Sequence, residues 1–268
     1  MSIKLVAIDI DGTLLNSKKE ITPSVFEAIQ DAKAAGVKIV ITTGRPIAGV
    51  SKLLKELHLM DPGDYVITFN GGLVQETATG KELIKDLLHY EDYLDIEALA
   101  NKLQIHSHAI TKDGIYTSNR DIGRYTIHES QLVNMPLYYR TPEEVREKEF
   151  VKAMYIDEPE ILDAAIAKLP QEFYDRFTIV KSTPFYLEIL KKTANKGIAV
   201  THLAEKLGLS KEETMAIGDE ENDRAMLEVV GSPVVMENGN PELKKIAKHI
   251  TKSNDESGVA YAIRKWVL

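Results

Sequence analysis

The sequence predicts an α/β fold in which a mostly parallel sheet carries a second, inserted domain. Three observations support this prediction. At both ends of the chain, short apolar runs alternate with amphipathic helical patterns, as in parallel sheets whose strands are connected by helices. In the middle, apolar runs come in pairs joined by turn residues, which is typical of antiparallel hairpins. Polar side chains with catalytic potential recur where the terminal apolar runs stop.

The strand–helix alternation is clearest in the first third of the chain. A strand is predicted at 4–10, and a helix follows that Thr22 caps, Pro23 begins and Gly36 ends. Strands at 37–42 and 65–69 then enclose a helix at 47–57. Because the joins are short, right-handed crossovers and a parallel sheet are expected.

The last quarter repeats this rhythm. Helices are predicted at 196–207, 223–230, 241–248 and 257–267, and strands at 214–217, 233–236 and 249–251. The two ends therefore form one sheet.

The middle of the chain predicts a different domain. Its helices are expected at 92–103 and 158–169, and its strands at 105–110, 115–118, 150–156, 177–181 and 186–190. Paired strands favour an antiparallel sheet with helices on one face. The predicted domains are a core at 1–83 and 190–268 and an insertion at 84–189.

Composition excludes several functions. The 268 residues carry a net charge of −8, which disfavours binding to nucleic acid or to an anionic membrane. No cysteine is present, so disulfides, thiolate metal sites and a cysteine nucleophile are excluded. The first residues lack the features of a signal peptide, and no apolar run approaches the roughly 20 residues of a membrane span. A cytoplasmic protein is expected, and no oligomeric state is predicted.

Four segments at the predicted carboxyl ends of core strands carry the chemistry, and ligands bind at that edge of open α/β sheets. The segments are Asp9-Ile10-Asp11-Gly12-Thr13-Leu14-Leu15, Thr43-Gly44-Arg45-Pro46, Asn195-Lys196-Gly197 and Gly218-Asp219-Glu220-Glu221-Asn222-Asp223.

Two of these segments predict a metal site. Asp9 and Asp11 lie two residues apart where a strand ends, and Gly12 allows the chain to turn there. Like charges that close need a cation or a proton between them. The carboxylates of Asp9 and Asp219 and the main-chain carbonyl of Asp11 suit Mg²⁺ better than Ca²⁺, because few protein ligands are visible. Zinc is disfavoured, since no histidines have the required spacing.

The remaining segments suit a phosphoryl group. A carboxylate beside Mg²⁺ is a nucleophile towards phosphorus, and the charge on the transferring group must then be offset. The Thr43 hydroxyl, the Gly44 and Ile10 main-chain N–H groups and the Lys196 ammonium can supply that offset. Taken singly, the first segment is as typical of a turn that leaves a strand as of a functional site. Thr-Gly-Arg alone favours a plain turn, Asn-Lys-Gly alone a helix start, and the acidic fourth segment a solvated loop or a calcium site. Four of them at one sheet edge favour function.

The sequence resembles the haloacid dehalogenase-like superfamily of aspartate-nucleophile phosphatases. Within it, the chain is most similar to the Cof-type branch and its YidA-like sugar phosphatases. The similarity includes Thr-Thr-Gly-Arg-Pro at 42–46, Tyr-x-x-His-Glu-Ser at 125–130, Ile-Asp-Glu-Pro at 156–159 and Met-Ala-Ile-Gly-Asp-x-Glu-Asn-Asp at 215–223. The resemblance implies a Rossmann-like core with an inserted α+β cap.

The resemblance also implies a role for each matching residue. Asp9 becomes the nucleophile, and Asp11 the general acid that protonates the leaving alkoxide and the base that then activates water. The other implied roles are phosphate binding by Thr43, Gly44, Lys196, Asn222 and the Ile10 backbone, metal binding by Asp219, and orientation of a metal-bound water or of Lys196 by Asp223.

The cap is expected to select the substrate. His106 and His108 alternate along one strand and therefore share a face, which is either a substrate surface or merely an exposed one. Arg120 could bind a second anionic group on the substrate. Further candidates are Asn119, His128, Glu129 and Glu188. The tyrosines at 116, 125, 138, 139 and 186 are interpreted as core or interface residues.

These features predict a Mg²⁺-dependent phosphatase of small phosphorylated metabolites, most plausibly sugar or sugar-acid phosphates. Two alternatives stay open: a phosphomutase or phosphotransferase of the same superfamily, and a non-catalytic protein that binds phosphorylated metabolites on this fold.

Overall fold

The computed structural model describes residues 2–268, which divide into two compact units. The core unit comprises the chain up to Gly44 together with Val50–Lys85 and Asn195–Leu268. The inserted unit comprises Arg45–Gly49 and Asp86–Ala194.

Strands and helices alternate at both ends of the chain. The strands are β1 Leu5–Asp9, β2 Lys38–Thr42, β3 Tyr65–Thr68, β4 Leu73–Glu76, β5 Glu82–Lys85, β6 His106–Ile110, β7 Ile115–Thr117, β8 Leu137–Tyr139, β9 Lys152–Ile156, β10 Phe177–Thr183, β11 Tyr186–Lys191, β12 Thr214–Gly218, β13 Ser232–Val235 and β14 His249–Ile250. The helices are α1 Pro23–Ala34, α2 Ile47–Glu56, α3 Tyr90–Leu103, α4 Arg124–Leu132, α5 Pro159–Ile166, α6 Gln171–Arg176, α7 Lys196–Lys206, α8 Arg224–Val229, α9 Pro241–Lys244 and α10 Gly258–Trp266.

The core sheet has the strand order β14-β13-β12-β1-β2-β3-β4-β5. From β14 to β3 all neighbours are parallel. Every residue of β1 and of β12 is buried, as expected for central strands covered on both faces. Because β1 lies between β12 and β2, the loops that follow these three strands meet at one edge of the sheet.

The last two strands of this sheet depart from the parallel pattern. β4 pairs antiparallel with β3 and with β5, and no strand was expected at either place. Each has only four residues, and the side chains of β5 are half-buried or exposed. Such short and partly exposed strands lack the apolar run that identifies a buried strand in a sequence.

The inserted unit contains a six-stranded sheet in the order β10-β11-β9-β6-β7-β8. All its pairs are antiparallel, as expected, except β7 with β8, which run parallel. One face packs on an apolar core that includes Tyr93, Phe150, Tyr155 and Leu187.

The expectation that helices cover only one face of this second sheet is wrong. On the face opposite Tyr155 and Leu187, α4 contacts the strands through Glu129, which lies 3.8 Å from Lys152. The apolar periodicity of α4 is weak, because the buried side of this helix includes the polar residues Thr126 and Glu129. A search for apolar periodicity does not identify such a helix.

Among residues 2–268, no helix combines the length and the apolar character needed to cross a membrane.

Candidate active site

Asp9 is the last residue of β1, and its side chain is buried. The loop after it folds back over the strand end, because the Leu14 and Leu15 N–H groups donate to the carbonyls of Asp9 and Ile10 at 3.2 and 3.0 Å. Gly12 makes that turn with φ +80°. A Cβ at Gly12 would lie 2.2 Å from Oδ2 of Asp219, so the turn requires glycine for both conformation and space.

Lys196 reaches Asp9 from the first turn of α7. The Asn195 side chain caps this helix by accepting a hydrogen bond from the Ile198 N–H at 2.9 Å. The fully buried Lys196 ammonium donates to Oδ1 of Asp9 at 2.5 Å and to Oδ1 of Asp223 at 2.7 Å. Burial lowers the pKa of Lys196, but the two carboxylates outweigh burial and hold that pKa above its usual value.

The segment after β12 supplies the second and third carboxylates. Oδ2 of Asp223 accepts hydrogen bonds from the Asp219 and Glu220 N–H groups at 2.9 and 3.2 Å, which closes the turn. The Thr13 hydroxyl donates to Oδ1 of Asp219 at 2.7 Å. A Cβ at Gly218 would lie 2.6 Å from Cγ of Asp223, so the turn leaves no room for a side chain at that position.

The carboxylates of Asp9, Asp219 and Asp223 can place one oxygen each within 4.8 Å of one another. Burial raises the pKa of Asp9 to about 7, Lys196 opposes that rise, and Asp223 adds to it. Burial raises the pKa of Asp219 to about 6 against the opposing hydrogen bond from Thr13. Crowded, buried carboxylates that resist ionisation fit a divalent cation with a preference for oxygen ligands, such as Mg²⁺.

Asp11 stands apart from this cluster. Its side chain is 46% exposed, and its Oδ1 lies 3.1 Å from Nζ of Lys19. The three acidic side chains brought together are therefore those of Asp9, Asp219 and Asp223, whereas the predicted contribution of Asp11 to a metal was its main-chain carbonyl.

The predicted phosphate-binding residues lie on neighbouring elements of the core unit. Asp9 pairs with Thr42 in the sheet, so the buried Thr43 and the half-buried Gly44 follow β2 just as the fully buried Ile10 follows β1. Asn222 is exposed, on the short 3₁₀ turn that begins after Glu220.

The sequence matches the family of haloacid dehalogenase-like hydrolases over residues 6–263. The chain belongs to this family. The resemblance inferred from the motifs is therefore confirmed.

Two curated relatives and one solved structure support the same conclusion. A Streptococcus pyogenes serotype M6 protein named "Putative phosphatase" is 67% identical over 268 residues and covers all of both chains. "Putative phosphatase YxeH" of Bacillus subtilis is 45% identical over 266 residues, covering 99% of this chain and 98% of its own. A crystal structure of a haloacid dehalogenase-like hydrolase from Bacteroides thetaiotaomicron superposes with a TM-score of 0.86 at 28% identity, covering 98% and 99% of the two chains.

The family and these relatives support a phosphatase of this superfamily. The structural match confirms the predicted α/β fold with a parallel-sheet core.

In the inserted unit of this hydrolase, the two candidate histidines share a strand face but differ in environment. Nδ1 of His106 lies 2.8 Å from Oδ2 of Asp157, at a partly exposed position. His108 is completely buried, and neither ring nitrogen has a hydrogen-bond partner among the described residues. Burial lowers the pKa of His108 to about 3, and Lys152 contributes to this decrease, so the ring is neutral at pH 7.

Glu188 belongs to a buried polar cluster on the same sheet face. Its Oε2 lies 3.2 Å from Nζ of Lys152, outside hydrogen-bond alignment, and Lys152 also lies 3.8 Å from Oε1 of Glu129. Met154 is the direct strand neighbour of both Glu188 and His108, so these two side chains flank one position of β9. We call Glu129, Lys152, Glu188 and His108 the inserted cluster.

The other candidates of the inserted unit have separate surroundings. Nδ1 of His128 lies 2.6 Å from the Tyr186 hydroxyl, and Arg120 is exposed. The Asn119 side chain accepts hydrogen bonds from the Ser107 N–H and the Thr117 hydroxyl, which is a structural role. Among the five tyrosines, Tyr116 stacks on Tyr138 with ring centroids 5.3 Å apart.

Three participants escaped the sequence reasoning. Thr13 belongs to the quoted Asp9–Leu15 segment, and its hydroxyl could have been noticed as a partner for an acid. Lys152 begins an otherwise apolar run, where a charged residue is itself a signal. Asn70 follows β3, and an added Cβ at Gly44 would lie 3.0 Å from its Nδ2, but no motif marks this residue.

Proposed function

We propose that this hydrolase is a Mg²⁺-dependent phosphomonoesterase that acts on small phosphorylated metabolites, with sugar and sugar-acid phosphates as the first substrates to test. The observation that supports this most strongly is the pairing of buried Asp9 with buried Lys196 beside two further carboxylates. In this proposal Asp9 is the nucleophile, Lys196 is the fixed positive charge, and the neighbouring carboxylates form the cation site.

In the first step, Oδ of Asp9 attacks phosphorus, an O–P bond forms, and the bond from phosphorus to the ester oxygen breaks. The leaving alkoxide takes a proton from Asp11. In the second step, Asp11 takes a proton from water, the hydroxide oxygen attacks phosphorus, and the acyl phosphate bond to Asp9 breaks to release inorganic phosphate.

The charge of the transferring phosphoryl group is offset by Lys196, by the Thr43 hydroxyl and by the Gly44 and Ile10 main-chain N–H groups. Asn222 adds a contact to the phosphate. Asp9, Asp219 and the Asp11 main-chain carbonyl would hold Mg²⁺, which would supply positive charge to the reaction and favour the ionised form of Asp9. Asp223 orients Lys196 through the hydrogen bond between them.

We propose that residues of the inserted unit select the alcohol part of the substrate. In the inserted cluster, the Glu188 side chain is 11% exposed and could contact a hydroxylated ligand directly, whereas His108 is buried on the same sheet face and would line the site behind it. His106, His128 and Arg120 are further candidates, and Arg120 would favour substrates with a second negative charge.

The test is phosphate release from p-nitrophenyl phosphate and from a panel of sugar, polyol and sugar-acid phosphates, with Mg²⁺ or with EDTA. Wild type is compared with Asp9→Asn, and Asp31→Asn on the exposed side of α1 is the matched control. Metal-dependent release that only Asp9→Asn loses is expected. Equal activity of Asp9→Asn and wild type would contradict the mechanism.

Product analysis separates the open alternatives. If the phosphoryl group moves to a second sugar in the presence of a bisphosphate, the protein is a mutase. If wild type cleaves no ester but still binds Mg²⁺ and phosphate, it is a binding protein on this fold.

A further inference from the structure

The segment after β3 has an unusual backbone. Phe69, Asn70 and Gly71 have φ values of +52°, +53° and +102°, so three consecutive residues lie in a region that side chains disfavour. Strain of this kind persists only where the surrounding structure imposes it. The contacts of this segment show what imposes it.

Asn70 connects this segment to the residues after β2. Its N–H donates to the Thr43 carbonyl at 2.9 Å, and the Thr43 N–H donates to the Ile67 carbonyl at 2.9 Å. The Asn70 carboxamide lies against Gly44, where an added Cβ would be 3.0 Å from Nδ2 and 3.2 Å from Oδ1. Asn70 thus holds both proposed phosphate-binding residues of this loop.

Gly71 connects the same segment to the start of α7. An added Cβ at Gly71 would lie 2.2 Å from the Asn195 carbonyl oxygen and 2.9 Å from the Lys196 nitrogen. The segment is therefore wedged between the two stretches of chain that carry Thr43–Gly44 and Lys196. A shift at Asn70 would change the spacing between them.

The Asn70 carboxamide is also incompletely satisfied. Its Oδ1 is buried without a hydrogen-bond partner among the described residues, a condition that is unfavourable for folding. A purely structural asparagine would normally have this oxygen paired. The combination of backbone strain, an unpaired oxygen and contact with Gly44 indicates that Asn70 has a role besides stabilising the fold.

We propose that Asn70 is a positioning residue for phosphate binding. Its backbone fixes the position of Thr43, and its carboxamide fixes that of Gly44. Its neighbour Gly71 sets the distance to Lys196, so that the Thr43–Gly44 loop and Lys196 can bind the same phosphoryl group. This inference rests on the proposed function, because it assumes that Thr43, Gly44 and Lys196 bind phosphate.

The main variant is Asn70→Gly, which tolerates the left-handed backbone, keeps the N–H to Thr43 and removes only the carboxamide. The matched control is Gln75→Ala on β4, because Gln75 also has a buried, unpaired side-chain oxygen but faces no proposed phosphate-binding residue. Inorganic phosphate is the probe, and its affinity is measured as protection against thermal unfolding in Mg²⁺ and as competitive inhibition.

Asn70→Gly should weaken phosphate binding by about tenfold and raise KM similarly, while the Mg²⁺ concentration for half-maximal protection stays that of wild type. Gln75→Ala should change thermal stability without changing phosphate affinity. A purely structural role for Asn70 would lower stability alone, and that result would overturn the proposal.

A double-mutant cycle tests the contact itself. Gly44→Ala places a methyl group against the carboxamide, and Asn70→Gly removes that obstacle. The loss of phosphate affinity in Gly44→Ala should therefore be smaller in the Asn70→Gly background. Strictly additive losses would overturn the contact. Absence of any phosphate binding or turnover in wild type would instead refute the proposed function.

Discussion

The two units each bury one lysine between two carboxylates, but they do so differently. In the core unit, the carboxylate oxygens lie 2.5 and 2.7 Å from Lys196, and both accept hydrogen bonds. In the inserted unit, the corresponding distances to Lys152 are 3.2 and 3.8 Å, and neither contact is a hydrogen bond. The same residue types thus form a tight charged network in one unit and a loose group in the other.

The difference lies in what each cluster lacks. The core cluster has an excess of crowded carboxylates around one ammonium, so a cation would complete it. In the inserted cluster, burial disfavours the charged forms of two members, since it raises the pKa of Glu129 and lowers that of His108. What it lacks is hydrogen-bond partners. These differences underlie the proposed roles, namely charge stabilisation for the core cluster and recognition of polar groups for the inserted cluster.

The largest expected difference between the two clusters is the difference in turnover after each lysine is replaced. Lys196→Met should reduce turnover of p-nitrophenyl phosphate by at least ~10³-fold, because the phosphoryl charge loses its fixed partner. Lys152→Met should keep turnover of that small ester within about tenfold and change the ranking of sugar phosphates. Steady-state kinetics on the same panel measures both, with circular dichroism to verify folding. Equal losses in the two variants would remove the distinction between the clusters.

The second largest expected difference between the clusters is in the stabilisation of the folded protein by Mg²⁺. Mg²⁺ at 100 times its dissociation constant should stabilise the wild type by about 2.7 kcal/mol, because the ion binds the folded protein alone. Asp219→Asn should lose most of this stabilisation, whereas Glu188→Gln should retain it. Thermal unfolding at increasing Mg²⁺ concentration measures the effect. If both variants respond as wild type does, the cation site lies elsewhere.

The core site was largely predictable because parallel neighbours end at one sheet edge. The strand order β12-β1-β2 brings the residues after those strands together, and Asp9, Asp219 and Asp223 follow from that rule. Asn70 could not be predicted, since its contact with Gly44 depends on a left-handed backbone that no residue pattern encodes.

The inserted unit was predicted less completely. Strand alternation correctly placed His106 and His108 on one face, but alternation does not show what covers a face. The contact of Glu129 with Lys152 depends on how α4 packs across the sheet, and that packing is set by tertiary structure. The exposure of the Asp11 side chain and its contact with Lys19 were equally invisible in the motif.

The pH dependence of stability should have opposite signs in the two clusters. The pKa of His108 is about 3, below its usual value of 6.5, so protons favour the unfolded chain and stability falls as the pH decreases from 6.5 towards 3. The pKa of Asp9 is about 7, above its usual value of 3.8. In the absence of metal, its contribution is present below pH 3.8 and is lost as the pH rises through 7.

Two variants isolate these contributions. His108→Leu should reduce the loss of stability on acidification, by up to about 1.4 kcal/mol per pH unit. Asp9→Asn should gain stability relative to wild type as the pH rises towards 7. Urea unfolding in EDTA between pH 5 and 7.5 measures both, with the exposed His202→Gln as control. Parallel pH curves for wild type and both variants would contradict the burial argument.

The smallest expected effect concerns single hydrogen bonds to buried acids. Thr13→Val removes the bond to Asp219, and Ser107→Ala removes a 2.8 Å bond to Glu97 in the inserted unit. Each should cost about 1 kcal/mol of stability. Only Thr13→Val should alter the Mg²⁺ titration, since its hydroxyl touches the acidic group. A changed titration in Ser107→Ala would mean that the effect reports stability alone.

The strand order of the core sheet has a consequence for synthesis on the ribosome. β1 lies between β2, which follows it within 40 residues, and β12, which begins only at Thr214. At ~5–20 residues per second, the main-chain groups along one edge of β1 have no strand partner for about 10–40 s. The inserted unit has its own apolar core and is translated during that interval. The acidic cluster therefore cannot form until this interval has passed, because Asp9 can meet Asp219 only after β12 has been made.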